Sequence, residues 1–115
     1  MVREAADLWP ADLQSLLAEA TRRLVEAAHP TKIILFGSYA RGDFDRGSDI
    51  DLLVILPTVK NRFEETNRLL NVLRGLGAPV DVIVYSADQV AGRQHLRGTM
   101  LYHALREGRV LYDAA

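Results

Sequence analysis

The sequence contains no cysteine. That excludes disulfides and thiolate metal sites, and it favours a reducing, cytoplasmic setting. No apolar run approaches the ~20 residues of a membrane span, so no membrane partner is expected. The stretch Met1 to Pro10 carries Arg3, Glu4 and Asp7 and lacks the apolar centre of a signal peptide. Neither sign of charge dominates: 14 lysines and arginines face 15 aspartates and glutamates, for a formal net charge of −1. A dedicated nucleic-acid module usually shows a basic excess, so nucleic acid is not the expected partner. There is also no internal repeat, linker or low-complexity tract. What remains is a chain of 115 residues, 49% hydrophobic and 25% charged. It predicts one globular domain over residues 1–115, long enough to bury about two-thirds of its unfolded surface.

Periodicity orders the chain. Pro10 suits the first turn of a helix, and Leu13, Leu16, Leu17, Ala20, Leu24, Val25 and Ala28 then recur at helical spacing. His29-Pro30 ends that helix, because a residue before proline avoids the α region. Lys32 to Phe36 reads as a strand, and Gly37 to Ser48 as a loop with room for a helical turn near Tyr39 to Gly42. Asp49 to Leu56 reads as a second strand stopped by Pro57. Lys60 to Arg74 reads as a helix with Phe63, Leu70 and Leu73 on one face, stopped by Gly75 and Gly77. Val80 to Tyr85 is a third strand. Ser86 with Gln89 forms a capping box for a further helical turn, interrupted at Gly92. Leu96, Met100, Leu101, Ala104 and Leu105 mark a last helix closed by Gly108, and Val110 to Tyr112 could add a short terminal strand. The expected fold is α/β, α-β-α-β-α-β-α, with helices packed on a small mixed three-stranded sheet.

The chemistry concentrates where the first strand ends and the second begins. Asp49 and Asp51 are two apart, so on a strand both carboxylates aim to one side. Their mutual repulsion needs compensation, and a hard divalent cation with open positions for phosphate supplies it. Glycine at position 37 lets the backbone approach a ligand closely. The Ser38 hydroxyl and the N–H groups of a following helical turn can hold phosphate. Phosphate on one side, carboxylates on the other and a cation between them describe a triphosphate site. Asp81 begins an otherwise apolar strand, where a carboxylate is costly unless paired or metal-bound. If the third strand runs parallel to the second, with Lys60 to Arg74 as crossover, Asp81 lies level with the first pair. The first and second strands should then be antiparallel. Arg41 and Arg46 could reach phosphate oxygens with their planar forks. Ser48 shapes the turn before Asp49, with a nucleotide contact as a second option. The acidic run Asp43 to Asp49 fails as an EF-hand loop, because Gly47 falls at its fifth position and Val54 at its twelfth.

Gly37-Ser38-Tyr39-Ala40-Arg41-Gly42, followed by Ser48-Asp49-Ile50-Asp51-Leu52, resembles the signature of the polymerase-β-type nucleotidyltransferases, and more closely that of the minimal nucleotidyltransferases. The resemblance implies that Gly37 and Ser38 seat the triphosphate and that Asp49 and Asp51 ligate Mg²⁺. It further implies that Asp81 completes the metal site or acts as general base on the acceptor. Larger members carry an additional domain, for which these 115 residues leave no expected space. Stand-alone members commonly pair, as antitoxins in a hetero-oligomer, with a helical HEPN-domain toxin and add AMP from ATP to one of its tyrosines. The alternatives are an antitoxin that acts only by binding and a transferase acting on a small molecule such as an antibiotic.

Overall fold

The computed structural model describes residues 11–45 and 47–115. Pro10 and Arg46 therefore lie outside the described residues. Helix α1 spans Ala11–Ala28. Leu13, Leu17, Ala20 and Leu24 are buried along one stripe of it, the spacing of a single helical face. His29 follows with φ 47° and donates its N–H to the Val25 carbonyl at 3.0 Å. It thus ends the helix in the left-handed conformation that glycine more often supplies.

Strand β1 (Lys32–Phe36) leads into a single helical turn, α2 (Ser38–Arg41). Then follow β2 (Ile50–Leu56), helix α3 (Arg62–Val72) and β3 (Val80–Ser86). Helices α4 (Ala87–Arg93) and α5 (Met100–Glu107) precede a last strand, β4 (Arg109–Asp113). The sheet order is β3-β2-β1-β4. As the sequence predicts, β1 and β2 are antiparallel, and β2 and β3 parallel across the α3 crossover.

Several expectations need correction. The three-stranded sheet is four-stranded, because Arg109–Asp113 forms a full antiparallel partner for β1. Strand β2 begins at Ile50, which leaves Asp49 just outside it. Leu69 of α3 and Leu73 at its C-terminal cap are buried, whereas Phe63 is 76% exposed and Leu70 is exposed with it. The last helix starts at Met100 rather than Leu96, because Gly98 turns the chain at φ 84° and the Thr99 side chain caps the helix. The capping box at Ser86 and Gln89 is present, and α4 continues past Gly92.

The two faces of the sheet are covered unequally. On one, Ile33, Leu35, Leu52, Val54, Val82 and Val84 pack under α1 and α3. On the other, Ile34, Phe36, Leu53 and Ile55 meet Leu101 and Ala104 of α5, with Val90 of α4 at the margin. Among the described residues no helix is long and apolar enough to cross a membrane.

Candidate active site

The turn after β1 is built around Gly37. Its φ of 77° and ψ of −155° lie in a region open essentially only to glycine. Space imposes the same requirement: a Cβ at this position would collide with Oδ2 of Asp51. The backbone therefore passes against a carboxylate on the neighbouring strand, where Phe36 stands opposite Asp51 in register. Ser38 opens α2, and the Gly37 carbonyl accepts the N–H groups of Ala40 at 3.1 Å and Arg41 at 3.0 Å. Gly42 closes α2 in the left-handed conformation, φ 93°.

Asp51 and Asp81 are direct register partners across the parallel β2–β3 pair. Alternation along the strands puts Asp51 on the face of Leu53 and Ile55, and Asp81 on that of Ile83 and Tyr85. This is the thinly covered face under α4 and α5. Asp81 is exposed and Asp51 half-buried. Burial, followed by the charges of Asp81 and Asp49, raises the Asp51 carboxyl above the usual range, with Arg41 pulling the other way. Asp49 is exposed at the threshold of β2. Among the described residues, no three acidic or histidine side chains are gathered closely enough to form a ready metal cage. The donor set still suits a hard cation: carboxylate oxygens that repel one another around a partly desolvated centre.

Arg41 is exposed and pairs with Asp43 (3.3 Å) and, across to α5, with Glu107 (3.4 Å). Its charge thus stands beside the acidic centre, as its effect on Asp51 also shows. The Ser48 hydroxyl is engaged locally: it accepts the Asp45 N–H at 2.9 Å. Tyr39 stacks on Phe44 with ring centroids 4.7 Å apart, which braces the loop between Gly37 and Asp49. Of the residues singled out in the sequence, the fold brings Gly37, Asp51 and Asp81 together along one sheet edge. Asp49 and Arg41 flank them, and Ser48 stays in its turn. Sequence reasoning missed Glu107 and Met100. Glu107 carried no local signal, and Met100 had been expected in the helix's apolar stripe but is 59% exposed.

A glycine turn thus faces two level carboxylates at one end of the sheet. Residues 15–100 match the nucleotidyltransferase domain family, and the chain belongs to that family. Two proteins of Methanocaldococcus jannaschii, each named "putative protein adenylyltransferase", are similar to it. One is 38% identical over 82 residues, 70% of this chain and 77% of that protein. The other is 36% identical over 56 residues, 46% of this chain and 52% of the relative's length, so the chain spans about half of that relative. Among solved structures, a "putative nucleotidyltransferase" from Sulfolobus solfataricus superposes with a TM-score of 0.63 at 22% identity, covering 99% of this chain and 91% of that one. A structure described as a toxin-antitoxin with AMP-PNP superposes with a TM-score of 0.57 at 23% identity, covering 84% and 73%. At these identities the two structures share the fold.

Proposed function

We propose that residues 1–115 act as one domain that transfers AMP from ATP to a hydroxyl of a partner protein, a tyrosine of a HEPN-type toxin, and thereby serve as its antitoxin. One observation carries the reading: Asp51 and Asp81 stand level on adjacent strands while Gly37 brings the backbone against Asp51. The names of the two Methanocaldococcus relatives support protein adenylylation, and the toxin-antitoxin neighbour supports a protein partner and an adenine nucleotide.

Asp49, Asp51 and Asp81 would hold Mg²⁺, which when bound supplies charge neutralisation at the phosphates. Gly37 and Ser38 admit the triphosphate to the backbone of the β1–α2 turn. Arg41 exchanges Asp43 or Glu107 for a phosphate oxygen, a planar fork meeting a planar set of acceptors. Ser48 keeps the turn that delivers Asp49. Asp81, the more exposed of the level pair, accepts the proton of the attacking hydroxyl on a carboxylate oxygen. The acceptor oxygen bonds to the α-phosphorus, the bond from that phosphorus to the bridging oxygen breaks, and pyrophosphate leaves.

The test is intact-mass spectrometry of the partner, co-expressed with this chain as wild type, Asp49→Asn or Asp51→Asn. A gain of one or more AMP units with wild type alone supports the reading. An unmodified partner that still co-purifies with wild type sinks adenylylation for that pair and leaves an antitoxin that acts by binding.

A further inference from the structure

The charge balance of the whole chain conceals a local imbalance. Between Asp88 and Glu107 the sequence has no acidic residue, whereas Arg93, His95, Arg97, His103 and Arg106 all fall there. Within that stretch residues 91–98 are exposed without interruption, from the end of α4 into the connector to α5. Arginines elsewhere in the described chain are engaged: Arg22 with Glu19 and Glu26, Arg68 with Glu65, Arg41 with Asp43 and Glu107. Arg106 donates to the Tyr102 hydroxyl at 3.2 Å. The side chains of Arg93, His95 and Arg97 have no such partner among the described residues. Leu96 and Met100 lie beside these cations and are exposed with them. Exposure by itself singles out nothing, since Phe63 and Val110 are comparably open. The cation next to Phe63, however, is occupied: Arg62 lies over the Tyr85 ring, 4.4 Å from its centroid. The connector joins open apolar side chains to uncommitted positive charge. It ends at Met100, which lines an open groove together with Asp51 and Asp81.

We infer that Arg93 and the connector 94–99 form a docking surface for the acceptor protein, and that the surface it fits carries carboxylates around an apolar recess. The inference rests on the transferase reading for the role of the docked protein and adds where that protein binds; docking itself requires no transfer. Exposed guanidinium groups without partners contribute nothing to the fold, but they are strong and geometrically selective partners for carboxylates. Arginine and methionine are also enriched where proteins meet. A nucleic-acid strand would call instead for aromatic side chains on which bases stack, and no Phe, Tyr or Trp occurs between Tyr85 and Tyr102. Position gives the docking a use. A protein held at Arg93, Leu96 and Arg97 lies next to the rim at Met100, so one of its side chains can reach the level carboxylates while the rest stays outside. The positive charge also steers an acidic partner towards a site whose own carboxylates would repel it.

The test begins with the full chain, ¹⁵N-labelled, titrated with probes of equal charge: a synthetic peptide alternating glutamate with leucine, poly-L-glutamate, and oligouridylate. Expected are saturable shifts centred on the amides of residues 93–97 and Met100, with the peptide roughly tenfold or more tighter than poly-L-glutamate. That is the order expected from burying one or two leucine side chains. Leu96→Ser should remove this preference, and Arg93→Glu combined with Arg97→Glu should abolish binding of both acidic polymers. No shift, shifts centred elsewhere, or oligouridylate binding tighter than the peptide overturns the inference. With the co-expressed partner of the mass assay, the double charge reversal should raise the acceptor KM roughly tenfold or more and leave affinity for an ATP analogue unchanged. Arg74→Glu, beyond α3 on the other face of the sheet, should alter neither. A fall in nucleotide affinity on reversal would make the two arginines a phosphate clamp and overturn the docking surface. A partner that docks through the connector and is never modified removes the transferase reading and leaves the docking surface standing. Transfer with a KM indifferent to the reversal does the opposite.

Discussion

The two faces of the sheet invite comparison. Under α1 and α3 the strands disappear into a continuous core, with Leu24, Leu35, Leu52, Val54 and Leu69 fully covered. Under α4 and α5 the cover is a short helix and a two-turn helix, and the buried cluster is much smaller. The candidate chemistry lies on the second face. A carboxylate could not remain charged beneath α1 and α3 without a partner. At the thin edge of the other face, Asp51 is half-buried and Asp81 is open to water. One face supplies the rigidity, and the other takes advantage of it.

The largest effect expected concerns the thin face. Asp51→Asn should lower AMP transfer by about 10³-fold, equivalent to ~4 kcal/mol of barrier, measured by single-turnover release of pyrophosphate. Retained activity would move the chemistry away from the level pair. Next come two core truncations that compare the faces directly. Leu24→Ala in α1 should cost about 3–5 kcal/mol, and Leu101→Ala in α5 about 2–3 kcal/mol, because the thinner side can collapse around the deletion. Urea unfolding of both variants reads the difference, and equal costs would erase the contrast. Gly37→Ala should cost about 1–3 kcal/mol from backbone strain alone. It should also weaken nucleotide binding, since the added Cβ displaces Asp51. Calorimetric titration with an ATP analogue checks this, and undiminished affinity would count against the turn as the phosphate seat.

The smallest effect has the opposite sign. The Asp51 carboxyl is raised in the folded chain. Its contribution to stability is therefore full below the ordinary carboxylate pKa of about 4, and it is lost as pH rises through the raised value. At neutral pH the ionised group burdens the fold, so Asp51→Asn should melt slightly higher than wild type, the gain being modest because solvent screens the site. The gap should close near pH 4. A variant that melts lower than wild type at pH 7 contradicts this electrostatic account.

Much of this arrangement could be read from local pattern. The strand directions, the level position of Asp81, the Ser86–Gln89 capping box and the stripe of α1 follow from spacing and side-chain type. The features that escaped depend on distant partners. Strand β4 is legible in part: Val110 to Tyr112 reads as an optional terminal strand, and the free edge of β1 makes it a full partner over Arg109–Asp113. Phe63 and Leu69 are equally apolar, and only the position of the sheet decides which one is buried. The ion pair from Arg41 to Glu107 joins residues 66 positions apart. Met100 and Leu101 are neighbours in α5, and only tertiary geometry leaves the first exposed and buries the second.

The register between β2 and β3 has a further consequence. Sliding one strand by a single residue would turn Asp81 towards α3 and leave Asp51 beside an apolar neighbour. Gly37, Asp51 and Asp81 come from three separate strand ends, so their meeting point exists only once β1, β2 and β3 are paired. A nucleotide held by all three, as proposed above, would bind only the sheet paired in this register and so would proofread its pairing. At one hundred times its dissociation constant it would add about 2.7 kcal/mol to the correctly registered state and nothing to a slipped one. On that proposal, a nucleotide-rich setting would favour well-paired copies of the chain over misaligned ones.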